Sequence, residues 1–363
     1  MKEENMTFSR KILLELPPTE SNPRNSEGDF ARLPDGSILF AYTRFSGDSW
    51  NDHADSEICA VYARDGERFE KESMKTLVHP ERFGGSNAMS VTLRPWKNGG
   101  VSLYFLVKYD TEGTEKEPLR DEIYRIDSSD GYDFSGDAVL CFPQDRRGYY
   151  VVNNCRVETL STGRIIVPVS TTENFREPWS SFFLYSDDGG KTFRKNAQTL
   201  VFPDRSSKSG LQEPGVVELA DGRLYAYFRT DAGYQYESFS SDSGITWTEP
   251  RPSRFGSPLS PMLIRKNPHN GKYYAIWNPY GDNPENVGRP CFPNTWGRTP
   301  LAFSESPDGV RFGETRFIEE DLRFGYCYPS VFFLSEHEAL VSYCSGGIDI
   351  ATLQKTTISK ITF

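Results

Sequence analysis

The sequence lacks the features that mark several common classes of protein. No apolar run approaches the roughly 18 residues of a membrane-spanning helix, and the mean hydropathy is −0.58. Histidine is scarce, with four residues in 363, and no HExxH-type or other zinc motif is visible. We therefore expect neither a metal nor an organic cofactor.

Cysteine is also too sparse and too scattered to form a disulfide framework. The six cysteines form no CxxC pair, so we expect buried, reduced thiols. They are Cys59, Cys141, Cys155, Cys291, Cys327 and Cys344.

Basic side chains are fewer than acidic ones, and the initial stretch of the sequence does not resemble an export signal. The 41 Lys and Arg against 51 Asp and Glu give a net charge of −10, which disfavours nucleic acid and anionic membranes as partners. The initial stretch MKEENMTFSRKILLELPP lacks the apolar segment of about 7–15 residues that a secretory signal needs. The sequence therefore predicts a cytoplasmic location. An anionic small-molecule ligand would require a local cluster of arginines.

Aromatic residues and turn formers are abundant, and they recur in two interleaved series. With 14% aromatics, 30 Gly and 24 Pro, the composition is typical of short strands joined by tight turns. The first series places a turn such as DG or NG between two apolar runs. Its six members are centred on Gly36, Gly99, Gly163, Gly222, Gly271 and Glu338.

The second series follows the pattern S-x-D-x-G-x-T-[FW], in which the Asp carboxylate can accept N–H groups of a turn and the aromatic ring packs inward. SDDGGKTF and SSDSGITW are good copies; ARDGERF, SSDGYDF and SPDGVRF are weaker. Each copy falls between two members of the first series. Six first turns and five second turns predict an all-β, six-bladed β-propeller that spans residues 1–363 as a single domain. The N-terminal run TFSRKILLEL is expected to close the last blade as its outer strand.

This topology brings distant residues to one rim of the propeller. Both turn series lie on the lower face, so the first strand of each blade begins at the upper face. Glu213 opens such a strand and Arg229 closes the strand that follows, so both are expected at the upper rim near the axis. The loop GDSWNDHADSE, which contains Asp52 and Asp55, is expected at the same rim. The other side chains expected there are Arg24, Asn25, Glu27, Asp29, Arg44, Asn87, Asn153, Asn154, Arg156, Ser260, Asn278, Arg298, Tyr326 and Tyr328.

These residues resemble those of the sialidase (neuraminidase) superfamily over nearly the whole chain. Glu213, sixteen residues before Arg229 across a DG hairpin, is similar to the family's glutamate and second triad arginine. Arg298 in GRTPLAFS resembles the third triad arginine, and Tyr328 in YCYPSVFFL resembles the nucleophilic tyrosine. The five turns of the second series resemble the Asp boxes of that superfamily.

Two further assignments rest on position within the resemblance. The block NPRNSEGDFARLPDG stands where the family has its FRIP motif, so Arg24 would be the first triad arginine, with Arg44 as the alternative. The loop NDHADSEI stands where the family has its acid/base aspartate, for which Asp52 is the first choice and Asp55 the alternative. Asn153 and Arg156 are further expected ligand-binding residues.

The resemblance implies an exo-glycoside hydrolase that removes terminal α-linked sialic acid with retention of configuration. Guanidinium groups can hold the carboxylate on the anomeric carbon. A neutral tyrosine avoids the repulsion that a carboxylate nucleophile would meet, and sialidases are a known exception to the two-carboxylate rule. The expected partner is an anionic sugar or a sialylated oligosaccharide. The alternatives are a hydrolase for another anionic sugar, either a 2-keto-3-deoxy acid or a uronic acid, and a non-catalytic carbohydrate-binding propeller.

Overall fold

The computed structural model describes residues 8–109, 120–142, 149–173, 177–279 and 292–363, with only the backbone for Arg120. Within these ranges the chain is built of β-strands and two short 3₁₀ helices, Pro80–Phe83 and Pro293–Thr295. None of the described helices has the length and apolarity needed to cross a membrane.

The strands follow one another through the described chain with short connections. The first twelve are β1 (Ser9–Leu16), β2 (Asn25–Arg32), β3 (Ile38–Phe45), β4 (Ser56–Ala63), β5 (Phe69–Val78), β6 (Asn87–Pro95), β7 (Val101–Tyr109), β8 (Arg120–Ser128), β9 (Ala138–Leu140), β10 (Tyr149–Val151), β11 (Glu158–Thr159) and β12 (Ile165–Thr172). The remainder are β13 (Ser180–Ser186), β14 (Arg194–Lys195), β15 (Gln212–Glu218), β16 (Leu224–Arg229), β17 (Tyr234–Ser240), β18 (Arg251–Gly256), β19 (Leu263–Lys266), β20 (Tyr273–Trp277), β21 (Leu301–Ser306), β22 (Arg316–Glu319), β23 (Gly325–Phe333), β24 (Glu338–Gly346) and β25 (Lys355–Thr362).

Consecutive antiparallel strands pair as neighbours. Three sheets have four strands each, in the orders β15-β16-β17-β18, β19-β20-β21-β22 and β1-β25-β24-β23. A fourth has the order β10-β12-β13-β14, and β11 also pairs with β12. The largest sheet contains β2 to β9, and its two halves meet at a parallel bridge between Ser56 and Asn87. This is the all-β propeller architecture that the two series of turns predict.

The N-terminal strand lies beside the C-terminal one. β1 pairs antiparallel with β25 from Ser9 opposite Thr362 to Leu16 opposite Thr356. Leu14 and Leu16 are buried against a core that includes Leu340 and Ile358. Apolar burial and ladder hydrogen bonds therefore join the two ends of the described chain within one sheet.

The Asp-containing turns have the geometry that their sequence indicates. Asp188 Oδ1 accepts hydrogen bonds from the backbone N–H groups of Lys191 and Thr192, both at 3.0 Å. Asp242 accepts the equivalent bonds from Ile245 and Thr246. The turn is thus stabilised locally by its own carboxylate, which leaves the aromatic residue that follows to pack below it.

A β-bulge recurs in the inner strand of four sheets or half-sheets. Between Ser26 and Asp29, β2 has one residue more than its partner β3, and the same shift occurs in β6, β15 and β23. Each extra stretch contains a non-glycine residue with positive φ. These residues are Glu27 (φ 56°), Ser90 (66°), Glu213 (48°) and Tyr328 (52°).

Below these bulges, buried polar side chains join the inner strands around the axis. Asp29 Oδ2 accepts the backbone N–H of Leu93 at 2.9 Å, and Asp29 Oδ1 accepts the Ser330 hydroxyl at 2.8 Å. Arg265 donates to Glu158 at 2.7 Å. Asp29 therefore connects β2, β6 and β23, so the strands that carry the bulges are held in a common register.

We expect Asp29→Ala to lower the free energy of unfolding by about 3 kcal/mol, because buried donors on two other strands lose their acceptor. Ser330→Ala removes one donor and leaves Asp29 its backbone partners, so a loss of only about 1 kcal/mol is expected. Chemical denaturation of the two variants and the wild type measures both. Equal losses would contradict the central position assigned to Asp29.

Candidate active site

A cavity of about 570 Å³ opens where the inner strands begin. Its walls contain arginines, carboxylates and aromatic rings contributed by widely separated parts of the sequence. The lining residues used below are Arg24, Glu27, Trp50, Asp52, His53, Ser90, Lys108, Tyr149, Asn153, Glu213, Arg229, Trp296, Arg298 and Tyr328. All four bulge residues with positive φ are among them, so the backbone irregularity of the inner strands directs side chains into this space.

Tyr328 and Glu213 form the centre of the site. The Tyr328 hydroxyl donates to Glu213 Oε1 at 2.8 Å. Arg229 Nη1 donates to the same oxygen at 2.7 Å and lies 3.4 Å from the Tyr328 hydroxyl. Glu213 Oε2 has no hydrogen-bond partner among the described residues. A phenol, a carboxylate and a guanidinium therefore meet at one point, in a geometry that permits proton transfer from the phenol.

Arg298 lies against the other side of Tyr328. Its guanidinium carbon is 5.8 Å from the centre of the Tyr328 ring and 5.2 Å from the Trp296 ring. Nη1 donates to Cys327 Sγ at 3.4 Å, and Nε has no partner within the described ranges. Unlike Arg229, Arg298 forms no ion pair with a described carboxylate. A buried cation of this kind is suited to an anionic ligand.

Arg24 and Asp52 form another part of the cavity wall. Arg24 Nη1 donates to Asp52 Oδ1 at 2.5 Å, and Arg24 Nη2 donates to Glu27 Oε1 at 2.7 Å. The Arg24 side chain is 1% exposed, whereas that of Asp52 is 55% exposed. Asp52 can therefore contact both a ligand and water while its position is fixed by a buried cation.

The loop that carries Asp52 is held through its backbone carbonyls. Lys108 Nζ donates to the Asp52 carbonyl at 2.7 Å. Asn87 Nδ2 donates to the carbonyls of Asp52 at 3.3 Å and Ala54 at 2.6 Å. The Trp50 carbonyl accepts a bond from Arg24 at 3.2 Å. Hydrogen bonds from neighbouring strands thus fix the position of the loop and of the Asp52 carboxylate that it carries.

The charges in the site shift the pKa values of its acids in different directions. Burial and the negative charge of Glu213 raise the pKa of Tyr328 well above its usual value, against the opposing effect of Arg229 and Arg298. Burial acts to raise the pKa of Glu213, but Arg229, Arg298 and the hydrogen bond from Tyr328 together outweigh it, so the pKa is lowered. Tyr328 therefore stays a phenol and Glu213 a carboxylate in the ligand-free protein.

The pKa of Asp52 is likewise set by competition between burial and neighbouring positive charges. Partial burial acts to raise its pKa, yet the charges of Arg24 and Lys108 outweigh that effect and hold the pKa of Asp52 below its usual value. Burial and Lys108 lower the pKa of His53 to about 4, although Asp52 acts in the opposite direction. His53 is accordingly neutral near pH 7.

The structure also separates the alternatives that the sequence leaves open. Arg24 lines the cavity, whereas Arg44 pairs with Glu57 at 3.1 Å and is not part of the lining. Arg44 is the residue of β3 directly opposite Asn25, next to Arg24. Asp52 lines the cavity, whereas Asp55 borders a different, smaller pocket.

Of the other residues predicted at this rim, Asn153 lines the cavity, whereas Arg156 and Asn154 do not. Asn153 lines the cavity and its Oδ1 has no partner within the described part of the chain. Arg156 does not line it, because its Nη1 donates to the Tyr227 hydroxyl at 2.9 Å between β-strands. Asn154 donates to the carbonyls of Gly28 at 3.0 Å and Tyr328 at 3.3 Å. Asn154 therefore supports the site from below.

Several lining residues were not predicted from the sequence. Lys108 stands at the end of β7, where a lysine is usually a solvated strand end, and Ser90 depends on a bulge that no turn residue signals. Glu27, by contrast, is among the residues expected at the rim, and it lines the cavity. Trp50 and Trp296 stack at the mouth with ring centres 6.2 Å apart and 40% and 41% exposure. Each tryptophan lies two positions from a predicted site residue, Asp52 or Arg298, and this spacing is a sequence signal for a place at the cavity mouth.

The thiols and possible metal ligands complete the inventory of reactive groups. Five cysteines are free and buried, whereas Cys291 lies outside the described residues. Within the described ranges, no cluster of three or more His, Cys, Asp or Glu side chains could hold a metal ion.

The family is decided by a match of residues 45–340 to the model of the BNR repeat-like domain. The chain belongs to this family. A 146-residue segment is 29% identical to the anhydrosialidase of Macrobdella decora, covering 38% of this chain and 18% of the leech protein. The chain thus matches less than a fifth of the length of that relative. The predicted resemblance to the sialidase-like BNR propeller superfamily is confirmed.

Solved structures show that the fold extends over nearly the whole chain. A Dyadobacter fermentans protein of unknown function superposes with a TM-score of 0.72 at 18% identity, over 97% of this chain and 99% of that one. The NanB sialidase of Streptococcus pneumoniae superposes with a TM-score of 0.68 at 13% identity, over 97% of this chain and 70% of the sialidase. At these identities the likeness establishes a sialidase-like propeller fold.

We expect Glu213→Gln to lower the pKa of Tyr328. The neutral amide removes the negative charge that opposes phenol ionisation, while Arg229 and Arg298 remain. An ultraviolet titration of the phenolate, with the Tyr328 signal identified from Tyr328→Phe, measures the change. Glu218→Gln, on the same strand but bonded to Ser161 outside the cavity, is the control. An unchanged Tyr328 titration in Glu213→Gln would contradict the electrostatic description.

Proposed function

We propose that the protein is an exo-acting glycoside hydrolase that removes a terminal α-linked sialic acid with retention of configuration. The observation that carries the proposal is the hydrogen bond from Tyr328 to Glu213, which is flanked by Arg229 and Arg298 and lies in the same cavity as Asp52. A binding protein needs the arginines, but it does not need a phenol paired with a buried carboxylate. The relatives named as sialidases support the same activity for this site.

The balance of charge in the cavity favours a ligand with one negative charge. The lining contains four cationic side chains, Arg24, Lys108, Arg229 and Arg298, and three carboxylates, Glu27, Asp52 and Glu213. One positive charge is therefore in excess, and it is desolvated. A ligand carboxylate would compensate it. Arg298 and Arg229, with Arg24 as the third arginine, would bind this carboxylate next to Tyr328, which places the anomeric carbon at the phenol oxygen.

The first half of the reaction would form a bond between Tyr328 Oη and the anomeric carbon. The phenol proton passes to Glu213 Oε1 as the bond to the leaving oxygen breaks, and protonated Asp52 supplies a proton to that oxygen. In the ligand-free protein Arg24 favours ionised Asp52. A bound carboxylate near Arg24 adds a second negative charge, which raises the pKa of Asp52 and favours the acid that this step requires.

The second half would release the sugar. Asp52 accepts a proton from water as the water oxygen bonds to the anomeric carbon, while Tyr328 leaves and recovers its proton from Glu213. Two displacements at one carbon give net retention. The cavity volume is within the range of about 300–1,000 Å³ common for small-molecule sites, which suits a single sugar acid.

We also infer that the propeller has six blades and that residues 1–363 form one domain. The bridge between Ser56 and Asn87 joins two four-stranded halves, which we count as separate blades alongside the four other sheets. The cytoplasmic location remains a prediction from the sequence.

Turnover of 4-methylumbelliferyl α-N-acetylneuraminic acid tests the proposed activity. Wild type is expected to release the sugar, first as its α-anomer by NMR, and Tyr328→Phe to show no measurable turnover. Tyr326→Phe, on the same strand but outside the cavity lining, is the matched control. Turnover restricted to a matching Kdo or glucuronide substrate would keep the mechanism and change the sugar. Binding of sugar acids without turnover of any substrate would indicate a binding protein.

The assignment of the arginines is tested by Arg298→Ala beside Arg44→Ala. Loss of a charged hydrogen bond costs about 1.5–3 kcal/mol, so Arg298→Ala should raise KM by about ten- to a hundredfold. Arg44→Ala should leave KM within about twofold, because its partner Glu57 lies outside the cavity. An equal rise in both variants would contradict the placement of Arg44.

A further inference from the structure

Lys108 is a buried cation whose charge is directed at the candidate acid/base. Its side chain comes from β7, lines the cavity and is only 4% exposed as a residue. Nζ donates to the backbone carbonyl of Asp52 at 2.7 Å and lies 5.3 Å from the centre of the Tyr149 ring. The carbonyl is neutral, so this hydrogen bond does not cancel the ammonium charge. That charge remains to act on nearby carboxylates.

Charged groups from several elements face this pair. Arg24, directly before the inner strand β2, and Glu27, within β2, both lie near Asp52. His53 belongs to the same loop as Asp52. Asp121 of β8 and Tyr149 of β10 lie on the side of Lys108. Burial lowers the pKa of Lys108, whereas Asp52, Asp121 and Glu27 favour its charged form.

A bound ligand would affect the charges of Arg24 and Lys108 differently. Arg24 contacts the Asp52 carboxylate directly, and a bound sugar carboxylate would compensate part of its charge. Lys108 is bonded to the Asp52 carbonyl and not to its carboxylate, so a ligand held by the arginines would leave its charge in place. Water activation needs Asp52 as a carboxylate, and a cation that remains in place favours that form.

We propose that Lys108 is a positioning residue for Asp52, which fixes the loop that carries this carboxylate and keeps the carboxylate charged for the step in which it acts as a base. The role in turnover rests on the proposed hydrolase function, whereas the effect on the ionisation of Asp52 does not. Asn87 provides a matched comparison, since it binds the same carbonyl and that of Ala54 without carrying a charge.

The first test is a ¹³C NMR titration of the ligand-free protein labelled at aspartate, with the Asp52 carboxyl assigned from Asp52→Asn. Lys108→Gln retains a donor for the carbonyl and removes the charge. The Asp52 carboxyl in this variant should titrate about one pH unit higher than in wild type. Lys108→Arg, which keeps the charge, should remain near wild type, and so should Asn87→Ala. An unshifted Asp52 in Lys108→Gln, or an equal shift in Asn87→Ala, would overturn the proposal.

The second readout is the pH dependence of kcat on a substrate whose second step limits turnover. The acidic limb, where Asp52 loses its basic form, should move to higher pH in Lys108→Gln. Asn87→Ala should lower kcat without moving the limb. If wild type shows no turnover but the NMR shift is present, the hydrolase function fails and the electrostatic role stands. If wild type turns over the substrate but Lys108→Gln shows no NMR shift, the hydrolase function stands and the electrostatic role of Lys108 fails.

Discussion

The site depends on the bulges that interrupt four of the inner strands near the propeller axis. A regular strand alternates its side chains between two faces, so it cannot also direct consecutive functional groups into an axial cavity. One extra residue with positive φ reorients Glu213 and Tyr328 so that they meet. Such a conformation costs about 1–3 kcal/mol for a non-glycine residue. Asn154, which bonds the carbonyls of Gly28 and Tyr328, helps to hold two of the bulges.

The bulges bring charges together, and those charges compensate one another only in part. Arg24 lies between Asp52 and Glu27, and Arg229 is bound to Glu213, so these cations are stabilised without a ligand. Among the arginines of the cavity Arg298 is the exception, with a thiol and two aromatic rings around it. The arrangement is therefore assembled in advance and lacks only the anion, which lowers the reorganisation needed on binding.

The sequence predicted the propeller because turn chemistry is local, and it predicted Glu213, Arg229 and Tyr328 because strand direction fixes their rim. It could not choose between Arg24 and Arg44. Both stand at the same end of one hairpin, and only the side to which each points separates them. Lys108 escaped prediction for a different reason, since its burial depends on the loop around Asp52, which covers it from another part of the chain.

The pairing of β1 with β25 has a consequence for the order in which the chain can fold. Ser9 pairs with Thr362, so this contact joins strands that are far apart in sequence and is slow to form. During synthesis β1 emerges well before its partner strand β25. Until then its apolar side chains, including Leu14 and Leu16, have no ladder to join. Ring closure is thus expected to be a late folding event, and the unpaired strand a point at which chaperones or aggregation could intervene.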